Sequence, residues 1–182
     1  MIDCLASPRR VTLLELGKPD ATILDCTAGN RMMWKVKDNP CVVFLDKEPA
    51  LAIPPDVLAT WDRLPFPDNY FSVIVFDPPH LIRSNPPPYF TNPKEKYNWY
   101  GWFKTRREMV VSIIGADKEF ARVAPMVLLK WYEDEVPVDN IVGLLKSFKP
   151  ELYKKWRANE LSRKKRSGGS TWWVKLVRRV GA

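Results

Sequence analysis

One stretch of the chain constrains the fold more than any other: residues 73–80, with the sequence VIVFDPPH. Its four leading apolar residues are typical of a strand buried on both faces of a parallel sheet. The run stops at Asp77, and the two prolines that follow donate no backbone hydrogen bond and hold φ near one value. The stretch therefore predicts polar groups in a rigid turn at the carboxyl end of a central strand, where open α/β sheets bind ligands.

Composition limits the class of protein to a globular domain. With 182 residues, of which 46% are hydrophobic, the chain fits one domain over residues 1–182. No apolar run approaches the roughly 20 residues that span a bilayer, and we expect neither a membrane segment nor a signal peptide. Cys4, Cys26 and Cys41 have no C-x-x-C spacing, so we expect no metal site and a cytoplasmic location. The net charge of +8 allows a polyanionic partner.

Local patterns predict the order of the secondary-structure elements. Runs of β-branched and apolar residues predict strands at residues 21–26, 41–45, 57–61, 71–76 and 126–131. Helical signals predict helices at residues 8–17, 31–36, 102–123 and 138–148. Alternating residues predict antiparallel edge strands at residues 151–158 and 171–177. This order predicts an α/β fold with a mostly parallel central sheet, an antiparallel C-terminal hairpin and helices on both faces.

Acidic residues end four of the predicted strands, at Asp25, Asp46, Asp62 and Asp77. If these strands run parallel, all four acids lie on one edge of the sheet. Asp46 follows Asp25 by 21 positions, where a carboxylate is placed to accept hydrogen bonds from ribose hydroxyls. A simpler alternative is that each aspartate caps the helix that follows it.

The turn after the first predicted strand favours a nucleoside ligand without phosphates. Residues 27–30 (TAGN) are small enough for the backbone to turn sharply and approach a ligand. They lack the full G-x-G-x-x-G pattern, which argues against a site for a pyrophosphate. The balance therefore shifts from NAD towards S-adenosyl-L-methionine.

These motifs resemble those of class I S-adenosylmethionine-dependent methyltransferases, which have a Rossmann-like fold. The likeness covers residues 20–178, in which ILDCTAGN resembles the cofactor loop of that family and LPFPDNYFSVIVFDPPH resembles the stretch that leads into its substrate motif. Several segments are similar, more closely, to small microbial and phage methyltransferases with a DPPH motif: RMMW, VIVFDPPHLI, KYNWYG, LLKWYE and SGGSTWW.

The resemblance implies S-adenosyl-L-methionine as the cofactor and a set of residues that bind it. Asp46 corresponds to the acid that binds the ribose, and Asp62 to the acid beside the adenine. The full set of implied cofactor-binding residues is Asp25, Cys26, Thr27, Ala28, Gly29, Asn30, Asp46, Lys47, Trp61, Asp62 and Asp77.

The resemblance also implies a catalytic role for Asp77, Pro78, Pro79 and His80. The Asp77 carboxylate and the Pro78 carbonyl would accept hydrogen bonds from an exocyclic NH2 group and so hold its nitrogen in line with the cofactor's methyl group. The fourth position of this motif is usually aromatic and stacks on the base. Three roles stay open for His80, the single histidine: stacking, hydrogen bonding to a base edge, or structural support of the turn.

Three further features suggest substrate-binding residues. The loop at residues 83–102 contains aromatic residues, among them Tyr97 and Trp99, that either stack on bases or pack on one another. The cluster Arg163, Lys164, Lys165 and Arg166 suits phosphate groups, although such a run is also typical of a solvated surface. Lys130 is predicted to line the pocket, with packing of the neighbouring tryptophan as the simpler explanation of this pair.

Together these features predict a methyltransferase that acts on an exocyclic amino nitrogen of a DNA or RNA base, as at N6 of adenine. A base within a duplex would have to be flipped out. The chain has no room for a separate target-recognition domain, so a homodimer, a partner subunit or its own loops would recognise the target. Two alternatives are methylation of a protein amide or small molecule, and a non-catalytic nucleic-acid-binding module with the same fold.

Overall fold

A computed structural model describes residues 11–85, 101–156 and 170–181 of the chain. The strands of the described part are β1 (Ile23–Asp25), β2 (Val42–Asp46), β3 (Val57–Leu58), β4 (Val73–Phe76), β5 (Met126–Glu133), β6 (Phe148–Trp156) and β7 (Ser170–Arg178). Its helices are α1 (Arg106–Val123) and α2 (Val138–Val142). The strands form one sheet in the order β3-β2-β1-β4-β5-β7-β6.

The sheet is mostly parallel, as predicted. Strands β1 to β5 pair in parallel, whereas β7 pairs antiparallel with both β5 and β6. The predicted C-terminal hairpin is therefore present. The prediction that both of its strands lie at an edge is wrong for β7, which lies inside the sheet and buries Val174 and Leu176. Of the two hairpin strands, β6 alone lies at an edge of the sheet.

One face of the sheet packs against α1. The register places Leu24 beside Val43 and Ile74, and all three are fully buried in the same core cluster as Ile113 and Phe120 of α1. The helix begins after Thr105, whose side chain accepts a hydrogen bond from the backbone N–H of the third helical residue. The helix predicted at residues 102–123 is therefore present, although it begins four residues later, at Arg106.

Turns, rather than the predicted helix at residues 31–36, cover the opposite face of the sheet. Here Val42 and Phe44 of β2 pack with Trp34. Arg31 has a φ of 56°, which lies outside the helical range, and residues 32–36 continue as turns and bends. The Arg31 guanidinium instead lies 4.0 Å from the centre of the Phe44 ring and donates to the carbonyls of Lys37 and Pro54.

Two other predicted helices differ from the structure. Residues 12–17 form turns rather than a helix, and residues 8–10 lie outside the described part. The helix predicted at residues 138–148 is shortened to the five residues of α2, because Gly143 follows its end and β6 begins at Phe148. Within the described ranges, neither helix is long and apolar enough to cross a membrane.

Candidate active site

A cavity of about 1050 Å³ lies where the carboxyl ends of β1, β2 and β4 meet. Its lining includes most of the residues predicted to bind cofactor: Thr27, Ala28, Gly29, Asn30, Asp46, Lys47, Trp61 and Asp77. Pro79 and Lys130, predicted to act on the substrate, line it too. The cavity is also lined by residues that were not predicted to bind cofactor or substrate, such as Gly101, Phe103, Thr171 and Trp173.

Asp46 and Gly29 connect the first two strands at the cavity wall. The backbone N–H of Gly29 donates to Oδ2 of Asp46 over 2.8 Å, and the N–H of Glu48 donates to Oδ1 over 3.0 Å. Gly29 has a φ of 49°, which a glycine adopts at little cost. Each carboxylate oxygen has a second lone pair, so Asp46 can still accept hydrogen bonds from a diol in the cavity.

Asp25 lies beneath the cavity wall and is fully buried. Its Oδ2 accepts a 2.7 Å hydrogen bond from Nε1 of Trp34, and its Oδ1 accepts one of 3.1 Å from the backbone N–H of Thr27. Burial, with a smaller contribution from the nearby charges of Asp77 and Asp46, raises the pKa of Asp25 to about 6, against the effect of these hydrogen bonds. By accepting a hydrogen bond from Thr27, this buried carboxylate supports the start of the turn at residues 27–30.

Two more residues predicted to bind cofactor do not line the cavity. Cys26 is buried, and its Sγ donates to the carbonyl of Val75 over 3.4 Å. Burial raises the pKa of this thiol well above its usual value. Asp62 is exposed, and its Cβ lies 3.0 Å from where a Cβ on Gly115 of α1 would be. The neighbouring Trp61 does line the cavity, with its Nε1 hydrogen-bonded to Oγ of Ser112.

Asp77 lines the cavity immediately after β4. Its backbone N–H donates to Oγ1 of Thr27 over 2.8 Å, which ties the ends of β1 and β4 together. Its Oδ2 accepts a 2.6 Å hydrogen bond from Nζ of Lys130. Burial raises the pKa of Asp77, whereas the charges of Lys130 and His80 act against that rise and favour the carboxylate.

Strand pairing places a row of side chains beside Asp77. Phe76 pairs with Leu129, so Asp77 and Lys130 follow at the same level of neighbouring strands. Lys130 in turn pairs with Trp173 of β7. The carboxylate, the ammonium group and the indole therefore lie on three successive strands, and all three side chains line the cavity.

Pro78 and His80 complete the DPPH turn outside the cavity lining. Pro78 is buried. The His80 ring lies 5.0 Å from the centre of the Tyr132 ring and 6.4 Å from that of Trp131. Burial lowers the pKa of His80, although Asp77 and Asp134 act in the opposite direction. These ring contacts are consistent with a role of His80 as structural support of the DPPH turn. Stacking of His80 on a base, or hydrogen bonding to a base edge, stays a prediction.

The other predicted substrate contacts are Tyr97, Trp99, Arg163, Lys164, Lys165 and Arg166, all of which lie outside the described residues. Within the described ranges, no group of three or more His, Cys, Asp or Glu side chains could hold a metal ion. Trp173 is the main residue that the sequence patterns missed. Alternation along β7 puts it on the opposite face from Trp172, but only the pairing with β5 brings it beside Lys130.

The strand order and strand directions define a Rossmann-like α/β fold in which the antiparallel strand β7 lies between β5 and β6. The PH0226 protein from Pyrococcus horikoshii OT3 is similar in structure, with a TM-score of 0.52 and 9% identity, over 92% of this chain and 87% of that one. The N-methyltransferase NodS from Bradyrhizobium japonicum WM9 has a TM-score of 0.45 and 11% identity, over 91% and 92%. A scan against family models and a search of curated proteins give no match.

Proposed function

We propose that this protein is an S-adenosyl-L-methionine-dependent methyltransferase that modifies an exocyclic amino nitrogen of a nucleic-acid base. One observation carries the proposal: the Asp77 carboxylate lines the same cavity as Asp46 and the turn at residues 27–30. A hydrogen-bond acceptor for an amino group and the groups that suit a nucleoside cofactor therefore face the same cavity. This is the arrangement that transfer from a bound cofactor to an amine requires.

The lining of the cavity fits S-adenosyl-L-methionine. Asp46 offers lone pairs for the two ribose hydroxyls, and the indole of Trp61 offers an apolar wall for a purine. Leu51 and Met33 extend this apolar side. When bound, the cofactor supplies a methyl group that its sulfonium already activates, so the protein has mainly to position the acceptor.

The Asp77 turn can position the substrate nitrogen that accepts the methyl group. A carboxylate oxygen accepts a hydrogen bond from the substrate NH2 group, which orients the nitrogen lone pair towards the cofactor side of the cavity. The hydrogen bond from the backbone N–H of Asp77 to Oγ1 of Thr27 fixes the Asp77 turn relative to the turn at residues 27–30. Because Asp77 directly follows β4 and Thr27 lies two residues after the end of β1, this geometry depends mainly on the sheet.

A nucleic-acid substrate is supported by charge and by aromatic surface. The chain has a formal net charge of +8, which favours a polyanion. Trp173 lies in register between Lys130 and Lys154 on one row of the sheet, so a ring that suits a base lies beside Lys154, a cation that suits a phosphate. Flipping would bring a duplex base to the cavity, whereas a single-stranded base needs no flipping. A second copy or a partner subunit would supply further target recognition.

Transfer of a labelled methyl group to pools of DNA, RNA and protein, followed by mass spectrometry of nucleosides, tests the proposal. We expect label on a nucleic-acid base, and Asp77→Ala should abolish it while cofactor affinity stays within about tenfold of the parent. Label on protein amides or small molecules alone would support the alternative substrate class. If calorimetry detects no binding of S-adenosyl-L-methionine at high micromolar concentration, the protein is not a methyltransferase of this kind.

A further inference from the structure

The ion pair between Lys130 and Asp77 has hydrogen-bonding capacity that its own partners do not use. Nζ of Lys130 lies 2.6 Å from Oδ2 of Asp77, and the two side chains keep 25% and 14% of their surface exposed. Both line the cavity, so this exposed surface is open to a ligand. Among the described residues, the remaining hydrogens of the ammonium group and Oδ1 of the carboxylate have no hydrogen-bond partner.

The sheet holds this donor and this acceptor side by side. The parallel pairing of Phe76 with Leu129 sets the levels of Asp77 and Lys130 on neighbouring strands. The hydrogen bond from the Asp77 N–H to Thr27 then fixes the acceptor. The cavity wall therefore presents an acceptor next to a donor, in an order determined by backbone pairing.

We propose that Asp77 and Lys130 together read an amino group and the acceptor atom next to it, so that the substrate is an adenine- or cytosine-type ring. This inference rests on the proposed function. Asp77 accepts from the NH2 group, and Lys130 donates to the adjacent ring nitrogen, which is N1 in adenine and N3 in cytosine. Lys130 is thus a specificity-determining residue.

Two features favour an aromatic amidine edge over other amines. On its Watson–Crick side, the guanine amino group is next to an N–H donor, which would face the Lys130 ammonium with a second donor and leave both unpaired. Guanine presents a neighbouring acceptor only at N3, on the side of the sugar. An aliphatic amine has no neighbouring acceptor for Lys130. Trp173, in register beside Lys130, adds a flat surface that suits a ring.

Removal of one acceptor atom from the substrate tests this inference. The probes are single-stranded oligonucleotides with one adenine or one cytosine, and matched oligonucleotides with 1-deazaadenine or 3-deazacytosine, which lack the acceptor. Lys130→Met should lower kcat/KM for the natural base about 10- to 100-fold, the usual range for a hydrogen bond to a charged donor. The same variant should change kcat/KM for the deaza base less than about threefold, since that probe has nothing for Lys130 to bind.

A purely electrostatic role of Lys130 gives a different result. If the ammonium group only keeps Asp77 ionised, Lys130→Met lowers activity equally on natural and deaza probes, and this outcome overturns the inference. Calorimetric binding of S-adenosyl-L-methionine and a thermal melt show whether the variant is folded. Where transfer to a deaza probe is too slow to follow, the dissociation constants of the natural and deaza oligonucleotides are compared instead. They are measured by titration in the presence of S-adenosyl-L-methionine.

The inference and the proposed function can fail separately. If the parent protein methylates no base in any pool, or methylates a protein amide instead, the proposed function fails and the inference with it. If it methylates a base, but that base is guanine, only the inference fails. Equal losses on both probes in Lys130→Met also overturn the inference while leaving the methyltransferase proposal intact.

Discussion

The indole Nε1 of Trp34 donates a 2.7 Å hydrogen bond to Asp25, a carboxylate with no exposed surface. Burial raises the pKa of Asp25 from 3.8 to about 6 in the folded protein, so the folded state binds this proton more tightly than the unfolded state does. The free energy of unfolding should therefore fall by about 3 kcal/mol as the pH rises from about 4 to about 6. Below and above this window, Asp25 adds no pH dependence.

Asp25→Asn should remove this fall, because an amide does not titrate. Urea unfolding at a series of pH values from 4 to 8 measures it. Asp20, which is exposed, gives the control variant Asp20→Asn, and that variant should keep the fall of the parent protein. An unchanged pH profile in Asp25→Asn would show that another group causes it.

Asp25 also shows what local sequence patterns can and cannot predict about the acids at strand ends. The buried runs that end at Asp25, Asp46 and Asp77 correctly predicted three parallel strands with acids at one sheet edge. They could not show that the Asp25 oxygens are occupied by Trp34 and Thr27, because the position of Trp34 depends on the path of a turn. Local pattern places an acid on a strand end, and tertiary packing decides whether it faces a ligand.

Residues 31–36 and Trp173 illustrate two other limits. The left-handed conformation of Arg31 follows from its contacts with Phe44 and the carbonyl of Pro54, which are distant in sequence. Trp173 reaches the cavity only because β7 inserts between β5 and β6. Such long-range pairing leaves no periodic mark on the sequence, whereas α1 shows its buried face in its own spacing.

Asp46 and Asp62 were both predicted to bind the cofactor, and the structure separates them. Asp46 lines the cavity and holds Gly29, whereas Asp62 is exposed outside it. Asp46→Ala should weaken S-adenosyl-L-methionine binding by about 10- to 100-fold, since it removes acceptors for charge-assisted hydrogen bonds. Asp62→Ala should change it less than about threefold. Isothermal titration calorimetry measures the affinity of both variants for the cofactor. Similar losses of affinity would show that Asp62 also contributes to the cofactor site.

Gly101 supports the DPPH turn through a close approach to Pro79. It has a φ of 68°, and a Cβ at this position would lie 3.1 Å from Cγ of Pro79. Gly101→Ala should therefore lower the melting temperature and also displace Pro79, which reduces methyl transfer. Gly17→Ala is the matched control, because Gly17 has a φ of 66° but nothing lies within 4 Å of its added Cβ. This variant should lose about 1 kcal/mol of stability through backbone strain, which lowers the melting temperature, while methyl transfer stays unchanged.

The basic cluster at residues 163–166 is expected to contact phosphates. Replacement of Arg163, Lys164, Lys165 and Arg166 by glutamine should weaken binding to nucleic acid and flatten its dependence on salt, since fewer counterions are released. Fluorescence anisotropy with a labelled single strand at 50 to 200 mM salt, used as approximate limits, measures the slope. An unchanged slope would return this cluster to a solvated surface without a role in binding.

The two adjacent tryptophans of β7 provide a matched pair of variants that test whether Trp173, in register with Lys130, contacts the substrate. Trp173 lines the cavity beside Lys130, whereas Trp172 lies on the other face, near Tyr153 and hydrogen-bonded to Glu133. Trp173→Leu should raise KM for an oligonucleotide substrate by about 5- to 100-fold, as loss of one base-stacking ring implies. Trp172→Leu should lower the melting temperature instead and leave KM close to that of the parent. Equal KM values in the two variants would mean that the substrate stacks on another ring.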